Sequence, residues 1–274
     1  MTKTDYHIHT NFSFDGKNTV EEMVKAAVGA GVTDMAITDH IDFYLYYDPG
    51  QNLNTGNLQK YKTEVYKMRE IYGGVINITY GVEAGIAARF KNEIGEFLRA
   101  GDFDFVIGSV HDIDAGDIYD YYEPGFYKKY DKKTAYAAFF EHTLESVESV
   151  EGIDVLGHMD YIERYGKYGD NSIDFGDAGI TALIDEILRT IIKKGKGIEV
   201  NASGYRYGLG HAHPSRTIIE RYKKLGGEII TVGPDAHETA QVAGHYEKII
   251  NMLKETGFKT IAVYRGKKLV MKDI

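Results

Sequence analysis

Two histidines separated by one residue, His7-Ile8-His9, end the first apolar run of this 274-residue chain. Side chains alternate faces along a strand, so both imidazoles point to one side and can grip one metal ion. Alone the pair says little, because surface histidine pairs are common. The pattern then repeats: Thr38-Asp39-His40, Gly81-Val82-Glu83, Ser109-Val110-His111, Gly157-His158-Met159-Asp160 and Gly233-Pro234-Asp235-Ala236-His237 each close a later β-branched run. Six of the ten histidines belong to this set. Mixed imidazole and carboxylate ligation suits zinc, manganese or iron, and ions so held make water nucleophilic near neutral pH. His142 and His245 fall within helical stripes and read as structural or surface residues. His211 and His213 occupy the loop after the sixth run.

Groups so far apart in sequence converge only if the strands that end in them are parallel around one axis. The strand candidates are Asp5–Thr10, Met35–His40, Ile76–Gly85, Phe105–His111, Val155–Asp160, Gly197–Ala202 and Ile229–Pro234. Thr260–Tyr264 is either an eighth strand or half of a terminal hairpin. Amphipathic stretches separate them. Thr19 and Glu22 form a capping box before Val20–Ala30, with Gly31 as the stop. Apolar stripes at helical spacing run through Leu58/Tyr61/Val65/Met68/Tyr72, Tyr136/Phe140/Leu144/Val147 and Ile180/Leu183/Ile184/Ile187/Leu188/Ile191. Two more run through Ile218/Ile219/Tyr222/Leu225 and Val242/Tyr246/Ile249/Leu253, and core packing accounts for all of them. Strand–helix alternation gives an α/β chain with a parallel sheet, either a closed barrel or an open doubly wound sheet. Barrels gather their chemistry at the C-terminal ends of the strands.

The composition, 43% hydrophobic and 27% charged, is that of an ordinary globular chain,. Residues 1–274 are expected to form a single domain, since barrels reach this length. A formal charge of −9 argues against a nucleic-acid track, which needs basic residues to offset phosphates, but not against a small phosphorylated substrate,. The chain has no cysteine, which removes disulfides, thiolate ligands and a cysteine nucleophile,. No membrane span or signal-peptide layout is legible, and a cytoplasmic location is expected. The oligomeric state is not legible.

The ordered motifs His7-x-His9-Thr10, Thr38-Asp39-His40, Gly81-Val82-Glu83, Ser109-Val110-His111, Gly157-His158-x-Asp160 and Asp235-Ala236-His237 resemble those of the PHP (polymerase and histidinol phosphatase) superfamily. The resemblance runs from residue 4 to about residue 250 and implies a distorted (β/α)7 TIM-like barrel. Asp154-Val155-Leu156-Gly157-His158 leading to Asp160 and Arg164, and Glu199-x-Asn201-x-Ser203-Gly204-x-Arg206, resemble the branch that hydrolyses histidinol phosphate in histidine biosynthesis. It implies two to three divalent ions (zinc, manganese or iron). His7, His9, Glu83 and Asp235 would hold the first, and Glu83 would bridge to a second held by His111 and His158. Asp15, His40 and His237 would hold the third.

On this reading two ions share a hydroxide that attacks phosphorus, while Arg164 and Arg206 bind the phosphoryl oxygens. Asp39, Asp160, His213 and His237 are candidate proton donors for the leaving alkoxide, and the first three could equally be supporting residues. The Tyr- and Asp-rich stretch Asp112–Lys133 could form a lid whose Asp114 and Asp117 meet a cationic substrate group. Competing readings are a PHP phosphoesterase for another small ester or nucleotide, an amidohydrolase, and a non-catalytic metal-binding protein. No strand-end lysine is available for an amidohydrolase bridge, and every motif position is filled.

Overall fold

The computed structural model describes residues 3–43, 53–115, 118–119 and 125–274. Seven parallel strands form a nearly closed barrel: β1 (Thr4–Asp5), β2 (Asp34–Ile37), β3 (Asn77–Gly85), β4 (Phe105–Ser109), β5 (Val155–Leu156), β6 (Gly197–Asn201) and β7 (Ile230–Gly233). They pair in chain order. The seam between β7 and β1 is carried by Tyr6 N–H donating to the Val232 carbonyl at 2.9 Å and by a parallel bridge between Ile8 and Ala236.

Several strands are shorter than their apolar runs, for one reason. The metal-capable ends leave the ladder and curl over the rim: residues 158–163 turn back through Tyr161 N to His158 O at 2.9 Å, and Asp235 adopts φ 57°. After β2, the fragment His40–Ile41 rejoins the sheet against β3, with His40 opposite Glu83. That register sets the imidazole beside the carboxylate.

Helices cover the outside. α1 (Val20–Gly29) has the expected capping box and buries Val20, Met23, Val24 and Ala27. α2 (Leu58–Tyr72) buries Tyr61, Val65 and Met68. α3 (Lys91–Gly101), absent from the sequence reading, buries Ile94, Phe97 and Leu98. α4 (Lys132–Ser149), α5 (Ala178–Lys193) and α6 (Arg216–Lys224) follow their predicted stripes, and His142 is buried on α4. α7 (Tyr246–Glu255) begins after the predicted Val242, because Ala243 and His245 take positive φ and break the helix before Tyr246.

Thr260–Tyr264 is not an eighth barrel strand. β8 (Thr260–Arg265) and β9 (Lys268–Asp273) form an antiparallel hairpin. Positive φ at both Gly266 and Lys267 gives the turn the handedness that strand twist favours,. The hairpin closes the barrel floor. Tyr264 packs on Phe105 (ring centroids 4.8 Å apart), its N–H donates to Tyr6 Oη at 2.8 Å, and Thr79 Oγ1 donates to its carbonyl at 2.7 Å. Tyr6, Ala36, Phe105, Ile107, Val155, Ala262, Val263 and Tyr264 form this inner cluster, separate from the larger one under the helices.

Replacing Tyr264 by Ala should cost about 3–5 kcal/mol of stability, as for other large buried aromatics. Activity per folded molecule should change little, because the rim lies at the opposite end. Urea unfolding with parallel kinetics checks both; a large loss of turnover in fully folded Tyr264→Ala would contradict the separation.

Candidate metal centre and its cavity

Glu83, fully buried near the end of β3, is the point on which the rim converges. Its Oε1 lies 2.9 Å from His158 Nε2 and 3.1 Å from His111 Nε2. Its Oε2 lies 3.0 Å from His40 Nδ1, 3.1 Å from His7 Nε2 and 3.4 Å from His9 Nε2. Asp235 Oδ1 stands 3.3 Å from His9 Nε2 and 3.6 Å from His7 Nε2. His237 Nε2 is 3.0 Å from Asp15 Oδ2, and the His237 and His40 rings each lie 4.2 Å from that of His9. The structure therefore brings all nine sequence-predicted ligands together. Among these nine the tight groups are His7/His9/Asp235, His40/Glu83/His111 and His9/His40/His237, so His40 faces Glu83 as well as the Asp15 side; a fourth group, Asp160/Glu163/His211, lies outside the nine.

The donors fit metal ions. His7 Nε2, His9 Nε2, His40 Nδ1, Glu83 Oε2 and Asp15 Oδ1 are buried and stand within ion-pair distance of one another or of neighbouring donors, yet none makes a hydrogen bond of good geometry. Leaving such atoms unsatisfied is costly unless a ligand meets them. The electrostatics agree. Burial opposes ionisation of Glu83, yet His7, His111 and His40 hold its pKa well below the usual range. Burial likewise opposes charge on His7, but Glu199, Glu83 and Asp235 raise its pKa well above normal. His40 is raised to about 9 against burial, chiefly by Glu83. His9, buried beside His40 and His237, is driven well below its normal value. The carboxylates thus favour positive charge on the imidazoles around them, a compensation that divalent cations can supply instead.

Supporting residues fix each imidazole. His7 Nδ1 meets Glu199 Oε1 at 2.5 Å, and Glu199 Oε2 also accepts His158 N–H at 3.1 Å. His111 Nδ1 meets Asp42 Oδ1 at 3.0 Å, and His9 Nδ1 meets Ser13 Oγ at 3.2 Å. Ser109 Oγ donates to Glu83 Oε1 at 2.6 Å; a Cβ at residue 157 would stand 2.3 Å from that hydroxyl, so Gly157 is required. Asp42 escaped the sequence reading, although His40-x-Asp42 is the same one-residue spacing that drew attention to His7 and His9.

Of the candidate proton donors, Asp39 accepts from Thr10 N at 2.6 Å, Thr10 Oγ1 at 2.7 Å and Ser13 Oγ at 2.7 Å. It braces the turn after His9. Asp160 accepts from Ser215 N at 2.6 Å and pairs with His213 Nδ1 at 2.6 Å. All three lie behind the cavity wall, whereas His237 lines it. The cavity, about 310 Å³, also takes in Asp15, Glu83, Arg164 and Asp235. Arg206 is not in the wall: it donates to the carbonyls of Pro234 and Asp235, each at 2.8 Å, and so holds the loop that carries Asp235. A larger groove of about 820 Å³ between α3 and the hairpin turn contains no imidazole. In the Asp112–Lys133 stretch, Asp114–Ala115 pairs with Ile118–Tyr119, while Asp117 lies outside the described residues.

Beside Asp160, Glu163 accepts Ile173 N–H at 2.6 Å. Burial, with the charge of Asp160, pushes its pKa up to about 9. The folded chain therefore keeps a proton there that the unfolded chain loses above its ordinary value near 4.5. The stability tied to this proton is full below that value and declines as pH rises towards 9. Glu163→Gln should flatten the decline. Urea midpoints at pH 5, 7 and 9 check this, and an equal decline in both proteins would show that Glu163 is ionised.

The model of the PHP domain family matches residues 5–203. The chain is 35% identical over 269 residues to the histidinol-phosphatase of Lactococcus lactis subsp. lactis, covering 98% of this chain and 97% of that protein. The crystal structure of the histidinol phosphate phosphatase from that organism, solved with zinc, L-histidinol and phosphate, superposes with a TM-score of 0.86 at 33% identity, over 98% of this chain and 99% of that one. A solved chain from Listeria monocytogenes, 20% identical, shares the fold with a TM-score of 0.79 over 90% of this chain and 99% of that one. Barrel, rim and family model agree, and the chain belongs to the PHP domain family.

Proposed function

We propose that this chain is a metal-dependent phosphomonoesterase that hydrolyses L-histidinol phosphate to L-histidinol and phosphate. The observation that carries the reading is the convergence of unsatisfied imidazole and carboxylate atoms on Glu83, in the same cavity as Arg164. Near-full-length similarity to a relative solved with zinc, L-histidinol and phosphate supports the choice of substrate. A cavity of about 310 Å³ suits a small ester,.

His7, His9, Glu83 and Asp235 would hold one ion, Glu83 with His111 and His158 a second, and Asp15, His40 and His237 a third. Zinc is the first choice, and manganese and iron are compatible with the same donors. Bound there, the ions supply Lewis acidity that lowers the pKa of water and neutralises phosphoryl charge. Glu199 and Asp42 fix the rotation and tautomer of His7 and His111, which sharpens ligand geometry. Arg164 presents its guanidinium to the phosphoryl oxygens through the cavity wall. Arg206 keeps the Asp235 loop in register. Of the four candidate acids only His237 lines the cavity, and as an ion ligand with Nδ1 on the Asp235 carbonyl it would hold no proton for the departing alkoxide.

Two measurements test this. Glu83→Ala should nearly abolish turnover and reduce bound metal, and a chelator should inactivate the native protein reversibly; near-normal activity at normal metal content would refute the centre. Against a panel of phosphate monoesters, kcat/KM for L-histidinol phosphate should lead by at least about a hundredfold, near 2.7 kcal/mol. A flat profile would leave only a general phosphatase.

A further inference from the structure

The arginine in the cavity wall is held by tyrosine rings and by no carboxylate among the described residues, and the Tyr207 ring also lies 5.1 Å from the Arg206 guanidinium carbon. Arg69, Arg89, Arg221 and Arg265 are each tied to an aspartate. Arg164 is tied to none among the described residues. Its guanidinium carbon lies 3.2 Å from the centre of the Tyr207 ring, 5.2 Å from that of Tyr161 and 5.1 Å from that of Tyr165. Its one hydrogen bond there runs from Nη1 to Tyr161 Oη at 2.9 Å, and Tyr165 Oη donates to the same oxygen at 3.2 Å. All three tyrosines line the cavity with the metal-capable residues.

This arrangement has a chemical consequence. A carboxylate partner would fix the guanidinium but cancel its charge and occupy its forked donors. The faces of aromatic rings attract a cation through their quadrupole and use no in-plane N–H. Arg164 is thereby oriented while its charge and most of its donors stay available to an anion. Tyr207 makes the nearest of the three contacts. It comes from the loop after β6, a different strand from the one that supplies Arg164, and it is 46% exposed. Little core packing depends on it.

We propose that Tyr207 is a positioning residue for phosphate binding: its ring face holds Arg164 in the cavity wall as an unneutralised cation, prepared for the substrate's phosphoryl group. The proposal rests on the reading of Arg164 as a phosphate ligand. The ring faces favour the cation without taking its N–H groups, and only the Tyr161 hydroxyl occupies one of them.

The test uses the metal-loaded protein, with L-histidinol phosphate as substrate and inorganic phosphate as product inhibitor. Tyr207→Leu should raise KM and the inhibition constant of phosphate together by roughly tenfold, the scale of a partly desolvated cation–π contact. Its kcat should fall by much less, with metal content and melting temperature close to those of the parent. Tyr207→Phe, which keeps the ring and loses the hydroxyl, should restore both constants. Arg164→Ala separates the two layers. If it leaves phosphate inhibition unchanged, Arg164 is not a phosphate ligand and the underlying reading fails. If Arg164→Ala weakens phosphate binding and Tyr207→Leu does not, the role of Tyr207 is overturned alone. A Tyr207→Phe protein as impaired as Tyr207→Leu would overturn it too, by assigning the effect to the hydroxyl.

Discussion

A carboxylate with almost no access to water, facing five imidazoles, is the constraint around which the upper half of the barrel is arranged. An unpaired buried charge is among the costliest features a fold can carry. Glu83 is tolerated because strands on every side of the barrel contribute partners: His7 and His9 after β1, His40 after β2, His111 after β4 and His158 after β5. Those partners crowd one another and require carboxylates of their own, which brings in Asp235, Glu199 and Asp42. The result is a network of like and unlike charges in which no pair is independent. Divalent cations would suit its centre, because one such ion could satisfy several donors at once.

The same constraint explains the small residues nearby. A side chain at residue 157 would collide with the Ser109 hydroxyl that steadies Glu83, and one at residue 233 would meet the His7 backbone and Cβ at 2.5–2.7 Å. These glycines are needed for close approach. The rim also shows how far support extends from the reacting groups. Asp39 never meets the cavity, yet it ties Thr10 and Ser13 into the turn that presents His9.

Much of this was legible in the sequence because metal-capable side chains are rare and their recurrence at strand ends is informative. All nine expected ligands meet at one rim, and the seven strands pair in the expected order. Other features were invisible for physical reasons. Thr260–Tyr264 has the same β-branched, apolar composition whether it builds the wall or closes the floor, so the hairpin could not be told from a strand. The α3 stripe is short and interrupted by Gly95 among charged residues, which hides its period. Strand ends were overestimated because apolar character continues where the chain has already turned over the rim. The part played by Tyr207 has no local signature, since a tyrosine that holds an arginine from another loop is defined only by the meeting of two loops.

The hairpin floor has a bearing on how the chain acquires its structure. Tyr6 and Tyr264 exchange backbone and hydroxyl hydrogen bonds across 258 residues. During synthesis the first strand is exposed long before its floor exists, and loop closure over such a span is entropically slow. The nascent barrel must therefore remain open at its base, with Phe105 and Val155 lacking their cover, until Ala262, Val263 and Tyr264 emerge. Closure of the floor thus depends on a segment 258 residues along the chain from the strand it covers.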